Sequence, residues 1–461
     1  MPELPEVETV VRTLEKQVGN RMIKEVIVYW DNIIANVEPS DFTLSLKNQT
    51  IESYDRRGKF LIFTLTDYIL VSHLRMEGKF FIHPQETLKN KHTHVIFKME
   101  DIEIHYNDVR KFGKFYLYRK QEAVTCLKNL GYEPFDAGLN AKTLKQLTGK
   151  DKMAIKTKLL DQSLIAGIGN IYANEICFKC NLDPLRKSCY ISENKWDEVL
   201  KNTREVLTLA IEKGGTTVRS YTSSLGVSGL FQQSLMVHGR ENQNCYVCGS
   251  EIRKIKVNGR GTYYCPECQK PKPVVVAVTG CIGSGKSEVI KYLTVNGYKT
   301  VSSDDINAEL LKQKKTISDL ASILGCSFEK IDKKYLSELI FSDKEIKKKV
   351  EKYLHQKIYR EIEKWIDENE KEKLLFVEVP LLYEVNWDRN FDVNVMVNAD
   401  ADLIYKRLLQ NRKMSKEDVD RRLQSQLPAE KKVQLADYVV ENNSSAVKLF
   451  SNIDKLIKKL D

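Results

Sequence analysis

The sequence predicts a multi-domain chain: an antiparallel β domain, a helical segment and a metal-pinned hairpin, followed by a separate parallel α/β domain. Three observations predict it. Short apolar runs such as Lys59–Leu65 (KFLIFTL), Ile69–Leu74 (ILVSHL) and His94–Lys98 (HVIFK), broken by Gly and Asp, read as short strands. Four cysteines stand as two close pairs, C-x2-C-x16-C-x2-C, from Cys245 to Cys268. Directly after the apolar run VVVAVT, Gly280–Ser287 (GCIGSGKS) completes the pattern G-x4-G-K-[ST], and apolar strands then alternate with amphipathic helices to the C-terminus.

A chain of 461 residues exceeds what one hydrophobic core usually holds. Residues 1–135 carry one opening helix and the strand-like runs. From Ala141 to Lys213 Leu and Ile recur at three- and four-residue spacing, the period of helices, and a Gly-, Ser- and Thr-rich stretch follows from Gly214 to Gly229. The expected divisions are therefore 1–135, 136–230, a cysteine segment 231–269, a linker 270–273 and a last domain 274–461. The linker sits in the stretch Gln269-Lys-Pro-Lys-Pro273, which has two prolines, two lysines and no large apolar residue. Lysine patches such as Lys347–Lys349 read as solvated helix faces.

A net charge of +10 favours a polyanionic partner only weakly. The start MPELPEVETV lacks the basic stretch and apolar core of a secretory signal, and no apolar run reaches the roughly 18 residues of a membrane span. Ten cysteines without a signal point to a reducing compartment and to metal binding, so the expected location is cytoplasmic, with no membrane partner.

Cys245, Cys248, Cys265 and Cys268 suit tetrahedral thiolate binding of one Zn²⁺. A closed four-sulfur site leaves no open coordination position, so the metal is structural. Between the pairs, KIKVNGRGTYY makes a turn at Asn-Gly, with Arg260 at its tip in reach of a phosphate or base. Cys177 and Cys180 lack a second pair and read as buried structural thiols. Pro2, exposed as an amine once Met1 is removed, would be a nucleophile near neutral pH, with Glu3 beside it as general acid. The alternative is that Pro2, Glu3, Pro5, Glu6 and Glu8 merely open a helix.

MPELPEVETV, RRGKFL (56–61), HLRMEGKF (73–80), KHTHV (91–95), DVRKFG (108–113), GIGNIYANE (167–175), GGTTVRSY (214–221) and NGRGTYYCPEC occur in this order. Together they strongly resemble formamidopyrimidine-DNA glycosylase, over residues 1 to about 270. The resemblance implies a β-sandwich, a helix–two-turn–helix and a zinc-finger hairpin, acting on double-stranded damaged DNA. It implies Pro2 as Schiff-base nucleophile, Glu3 as its acid partner, Lys59 as acid/base of β-elimination and Arg260 for δ-elimination. His92, Arg110 and Asn170 would contact the DNA backbone, and Met76, Arg110 and Phe112 would fill the gap left by the everted nucleotide. His94 reads as a solvated strand face. A loop from Thr217 to Phe231 would close on the base. Relatives carry a DNA-contacting lysine where this chain has Lys150-Asp151-Lys152, and Lys150 is the candidate.

In the last domain, backbone N–H groups of Gly283, Ser284, Gly285, Lys286, Ser287 and Glu288 would cradle the phosphates of ATP; Lys286 would pair with the β/γ-phosphates and Ser287 would hold Mg²⁺. The P-loop together with VSSDDI (301–306), VEVPLLYE (377–384), DLIYKRLLQNR (402–412), RLQSQ (422–426) and ADYVVENN (436–443) resembles dephospho-coenzyme A kinase. That implies a parallel sheet with a helical lid, Asp304 as base for the acceptor hydroxyl, Arg407 and Arg412 as lid arginines, and Asn442 on the adenine side. Asp304 or Asp305 would otherwise be an N-cap. The sequence departs from that family at Ser302-Ser303, Ala308 and Gln356. The expected protein is a monomeric fusion that binds DNA, ATP and dephospho-CoA. Its rivals are an endonuclease VIII-like enzyme for oxidised pyrimidines or a non-catalytic zinc DNA-binding module, joined to another nucleoside-monophosphate-type kinase.

Overall fold

The computed structural model describes residues 1–216, 230–325, 343–411 and 414–460. In it the alternating runs become β1 (Glu25–Val28), β2 (Ile51–Arg57), β3 (Phe60–Leu65), β4 (Tyr68–His73), β5 (Lys79–Pro84), β6 (Thr93–Lys98), β7 (Ile102–Asn107) and β8 (Lys114–Arg119). They pair antiparallel in two sheets, β1-β6-β7-β5 and β2-β3-β4-β8. Side chains alternate across a strand, so β3 buries Leu61, Phe63 and Leu65 on one face. Those residues share one core with Phe97, Ile104 and Tyr106 of the other sheet and with Val7, Val10, Leu14 and Val18 of the opening helix Leu4–Val18. That helix carries its apolar residues at helical spacing and stops at Gly19, whose φ of 59° a glycine adopts freely.

The helices Ala141–Thr148, Ile155–Leu159, Asn170–Lys179 and Glu193–Glu212 follow. Asn140 caps the first by accepting from Thr143 N. Cys177 and Cys180 are buried thiols, and Cys180 Sγ accepts from Asn202. Strands β9 (Arg253–Val257) and β10 (Arg260–Tyr264) form the hairpin, joined by Asn258 and Gly259. Both residues have positive φ (44° and 77°), as a tight two-residue hairpin turn requires. Gln269 belongs to this segment and not to a linker. It is 1 % exposed, accepts from Cys265 N and donates to Leu182 O.

The chain divides into two compact units, one of Met1–Cys189 with Lys195–Pro271 and the other from Lys272 onward with Tyr190–Asn194. In the second, β11 (Val274–Thr279), β12 (Lys299–Ser302), β13 (Leu374–Glu378), β14 (Val393–Asn398) and β15 (Tyr438–Glu441) make a parallel sheet in the order β12-β13-β11-β14-β15. β11 and β13 are almost wholly apolar, and β14 is buried along nearly all its length, as a sheet covered on both faces demands. The P-loop leaves the carboxyl end of central β11, where open parallel sheets bind ligands. Lys347–Lys349 are exposed on the helix Lys344–Glu368. No described helix is long and apolar enough to cross a membrane.

Candidate active sites

Pro2 and Glu3 are buried, and Met1 is exposed. The Glu3 carboxylate accepts from Ile171 N (2.9 Å) and Tyr172 N (3.4 Å) at the start of the helix Asn170–Lys179, and Glu3 N donates to Glu6 Oε2 (2.9 Å). A helix start has unsatisfied N–H groups and a positive dipole end, which favour a carboxylate. The approach is so close that a Cβ on Gly169 would lie 2.2 Å from Glu3 Cδ. Burial nevertheless raises the Glu3 carboxyl to about 7, with Lys59 pulling it down and Glu6 pushing it up. Lys59 is 5 % exposed and donates to Ile168 O (2.8 Å). Burial lowers its pKa, Glu3 and Glu6 resist the shift, and Arg260 adds to it. Residues 3, 6, 59 and 260 therefore share one electrostatic neighbourhood.

The turn before Lys59 is held from outside. Glu133 accepts from Gly58 N (2.6 Å) and pairs with Arg56 and Arg57 (both 2.9 Å). The segment DVRKFG is folded by its first residue. Fully buried Asp108 accepts from Arg110 N (3.0 Å), Phe112 N (2.9 Å) and Gly113 N (2.7 Å). This leaves Arg110 and Phe112 exposed, the guanidinium 5.0 Å from the ring centre. Met76 is exposed after a turn in which buried His73 Nδ1 accepts from Arg75 N (2.9 Å). Burial lowers the His73 pKa to about 3, so the ring stays neutral and keeps accepting. His92 is half-buried, and its carbonyl accepts from Asp108 N (3.0 Å). His94 is not a solvated face: it is 4 % exposed, with Nε2 2.8 Å from Asp108 O and its ring packed edge-on 5.7 Å from Trp30.

The four sulfurs of Cys245, Cys248, Cys265 and Cys268 lie within 4.8 Å of one another. Tetrahedral zinc with bonds of about 2.3 Å fits such a set. Lys150 is exposed, whereas fully buried Lys156 occupies the junction of helix and hairpin. Its ammonium donates to Asn170 Oδ1 (2.7 Å), Gly261 O (3.0 Å) and Thr262 Oγ1 (2.7 Å), and Asn170 Nδ2 also donates to Gly261 O (3.1 Å). Burial lowers the Lys156 pKa to about 8. Asn170 thus ties the helix start to the strand that begins at exposed Arg260. Of the loop Thr217–Phe231, residues 217–229 lie outside the described residues; Phe231 is buried 5.7 Å from the Tyr172 ring.

In the second unit Lys286 Nζ donates to Gly280 O (2.8 Å) and Cys281 O (3.1 Å), and burial lowers its pKa to about 8. Ser287 is exposed at the start of the helix Lys286–Val295. Asp304 has its carboxyl raised by partial burial, with Lys286 opposing. The helix Ser303–Leu310 has Ser302 at its N-cap, so neither Asp304 nor Asp305 fills that position. Arg407 Nη2 donates to Asn442 O (3.0 Å), and Asn442 Nδ2 donates to Ser284 O (2.8 Å). Arg412 lies outside the described residues.

Family models match four successive segments: the formamidopyrimidine-DNA glycosylase N-terminal domain at residues 1–115, its H2TH domain at 130–222, the zinc finger found in FPG and IleRS at 243–271, and dephospho-CoA kinase at 274–448. The formamidopyrimidine-DNA glycosylase of Shouchella clausii is 46 % identical over 279 residues, which are 59 % of this chain and 100 % of that one. The chain belongs to the formamidopyrimidine-DNA glycosylase family. The Exiguobacterium sibiricum glycosylase is 47 % identical over 274 residues, covering 59 % of this chain and 99 % of that one. The solved complex of Lactococcus lactis Fpg with abasic-site DNA matches at 36 % identity and a TM-score of 0.56, covering 58 % of this chain and 100 % of that one. The remaining part carries a dephospho-CoA kinase domain, so one polypeptide joins a glycosylase to a kinase.

Sequence reasoning passed over several residues of the glycosylase site. Glu6 accepts from Tyr172 Oη (2.6 Å), Thr216 N (2.8 Å) and Thr216 Oγ1 (3.0 Å), and buried Glu175 accepts from the N–H groups of Met236, Val237 and His238. Nothing in MAIKTKLL, which carries Lys156, Thr157 and Lys158 together, marks Lys156 as the buried one.

Proposed function

We propose that the N-terminal unit excises oxidised purines, 8-oxoguanine and formamidopyrimidines, from double-stranded DNA and cleaves the abasic site by β,δ-elimination. The observation that carries this reading is the Glu3–Lys59 pair buried next to Pro2. With Met1 removed, the Pro2 nitrogen attacks the sugar C1′ and the bond from C1′ to the base breaks, the departing base taking up the proton that the nitrogen gives up. Glu3, held partly protonated near pH 7, gives its proton to the sugar ring oxygen as the C1′–O bond breaks, which leaves an iminium between Pro2 and C1′. Lys59, with its lowered pKa, moves the proton in β-elimination, and Arg260 serves δ-elimination. Met76, Arg110 and Phe112 fill the vacated stack, while His92, Asn170 and Lys150 face the backbone. The helices from Ala141 to Lys179 read as the helix–two-turn–helix, and the zinc hairpin presents Arg260.

The second unit transfers the γ-phosphoryl group of ATP to the 3′-hydroxyl of dephospho-CoA. Lys286 and the N–H groups of Gly283, Gly285, Lys286 and Ser287 hold the phosphates, whereas the N–H groups of Ser284 and Glu288 donate to Cys281 O and Gly285 O; Asp304 takes the hydroxyl proton, and Arg407 and Arg412 offset charge on the transferring group. Ser287, at the helix start, would hold Mg²⁺, which would supply neutralisation of phosphate charge. The units act as a monomer in the cytoplasm. The test is incubation with 8-oxoguanine duplex under borohydride, with mass spectrometry of the adduct, beside an assay of CoA and ADP formation. An adduct on a chain that still carries Met1 rules Pro2 out. Cleavage confined to oxidised pyrimidines favours the endonuclease VIII-like reading, and phosphorylation of nucleoside monophosphates alone rejects dephospho-CoA.

A further inference from the structure

We infer that Asn442 is a positioning residue for ATP: it aims a P-loop amide at the phosphates by pinning the carbonyl on the other side of the same peptide. Asn442 is 6 % exposed and directly follows β15. Its own N–H donates to Asn398 O at the end of β14 (2.8 Å), which fixes it to the sheet. From there Nδ2 donates to Ser284 O (2.8 Å), while its backbone and side-chain oxygens accept from Arg407 Nη2 (3.0 and 3.4 Å). The contact is close enough that a Cβ on Gly285 would lie 2.1 Å from Asn442 Nδ2, and Gly285 has φ +99°.

A trans peptide is planar, with its C=O and N–H pointing opposite ways. The Ser284 carbonyl and the Gly285 N–H belong to one such plane. Holding the carbonyl outward on Asn442 therefore turns the Gly285 N–H inward, toward the space the phosphate-binding loop encloses. Without the amide, the buried carbonyl loses a partner and the peptide is free to flip, which withdraws one donor from the phosphates. The sheet thus sets the P-loop through a side chain 158 positions away in sequence. Arg407 is held on the same residue, which keeps its guanidinium in register with the loop.

The inference rests on the P-loop reading of Gly280–Ser287 and not on the identity of the acceptor. Its test is equilibrium binding of ATP with Mg²⁺ to the full-length protein without any acceptor, for wild type, Asn442→Ala and Asn442→Asp. Loss of one buried hydrogen bond weakens ATP binding about tenfold in the alanine variant. Asn442→Asp binds ATP more weakly still, because a carboxylate oxygen then faces the Ser284 carbonyl and repels phosphate. In turnover the rise falls on the KM for ATP and not on that for the acceptor. The aspartate variant keeps side-chain size and the oxygens that hold Arg407, and so serves if the alanine variant does not fold. Native ATP affinity in either folded variant, or a loss confined to the acceptor KM, overturns the inference. Failure of wild type to bind ATP would instead sink the P-loop reading itself.

Discussion

Each unit buries a lysine in its site, and the two are buried differently. Lys59 sits against Ile168 O beside Glu3, in a site assembled from chain positions near 3, 59, 168 and 260. Lys286 sits against Gly280 O and Cys281 O, six and five positions back along the same loop. Desolvation lowers the pKa of both. The first lysine has a carboxyl partner whose own pKa is pushed up to about 7 by burial, while burial lowers that of the lysine. The second rests on carbonyls that cannot take a proton and must leave them to meet a phosphate. On the proposed reading, the first site would move protons between fixed groups, and the second would exchange its own carbonyls for a bound anion.

The sharpest way to break this comparison is through the metal. Cys265→Ser should release zinc, loosen the hairpin that carries Arg260 and abolish DNA binding, while phosphoryl transfer stays near native. Zinc content, DNA binding and ADP release measured on one preparation check it; joint loss of both activities would mean that the units do not fold separately. Next in size is Asp304→Asn, which keeps shape but cannot accept a proton and should lower turnover by about 10²–10⁴ with little change in ATP affinity. The same measurement on Asp305→Asn should give near-native turnover; the reverse pattern would shift the assignment by one residue.

Lys156→Met sharpens the contrast within the glycosylase unit. It leaves Asn170 Oδ1, Gly261 O and Thr262 Oγ1 without their shared donor. Unfolding of that unit should become easier by about 1–3 kcal/mol, read in denaturant, with the kinase unit unaffected. The smallest effect is a titration. The folded Glu3 carboxyl keeps its proton up to about 7, above the ordinary 4.5 of such a group. Its contribution to stability is therefore full below about 4.5 and is lost as pH rises through about 7. Lys59 lowers this pKa, so Lys59→Met should move the Glu3 titration, followed by NMR of labelled carboxyl carbons, above about 7. An unmoved titration would separate the two groups.

The same contrast explains what could be read from sequence. The P-loop is a contiguous run whose glycines, strand and helix are all local, so it was legible residue by residue. The cysteine pairs and the Asn258-Gly259 turn were legible for the same reason. Lys156, Glu6 and Glu175 were not, because each acts through partners dozens to hundreds of positions away. A lysine in a helical stretch has the pattern of a solvated face until the fold shows that it is buried. His94 failed for a related reason: alternation places it on a face but cannot say that Asp108 closes that face over. Gln269, polar and next to Lys-Pro, has linker composition; its bonds to Cys265 and Leu182 tie it to the cysteine segment whose expected end it forms.

The central claim is that two independent active sites share this chain, and a crossed pair of substitutions tests it most directly. Wild type, Pro2→Gly and Lys286→Ala are each given 8-oxoguanine duplex under borohydride and, in parallel, ATP with dephospho-CoA. Pro2→Gly should lose most of the trapped adduct and strand cleavage while forming CoA at the native rate. Lys286→Ala, which removes the charge that counters the β/γ-phosphates, should lose phosphoryl transfer while trapping and cleaving DNA as wild type does. A single substitution that silences both activities, or a Pro2→Gly protein that still traps DNA at the wild-type level, would contradict the account.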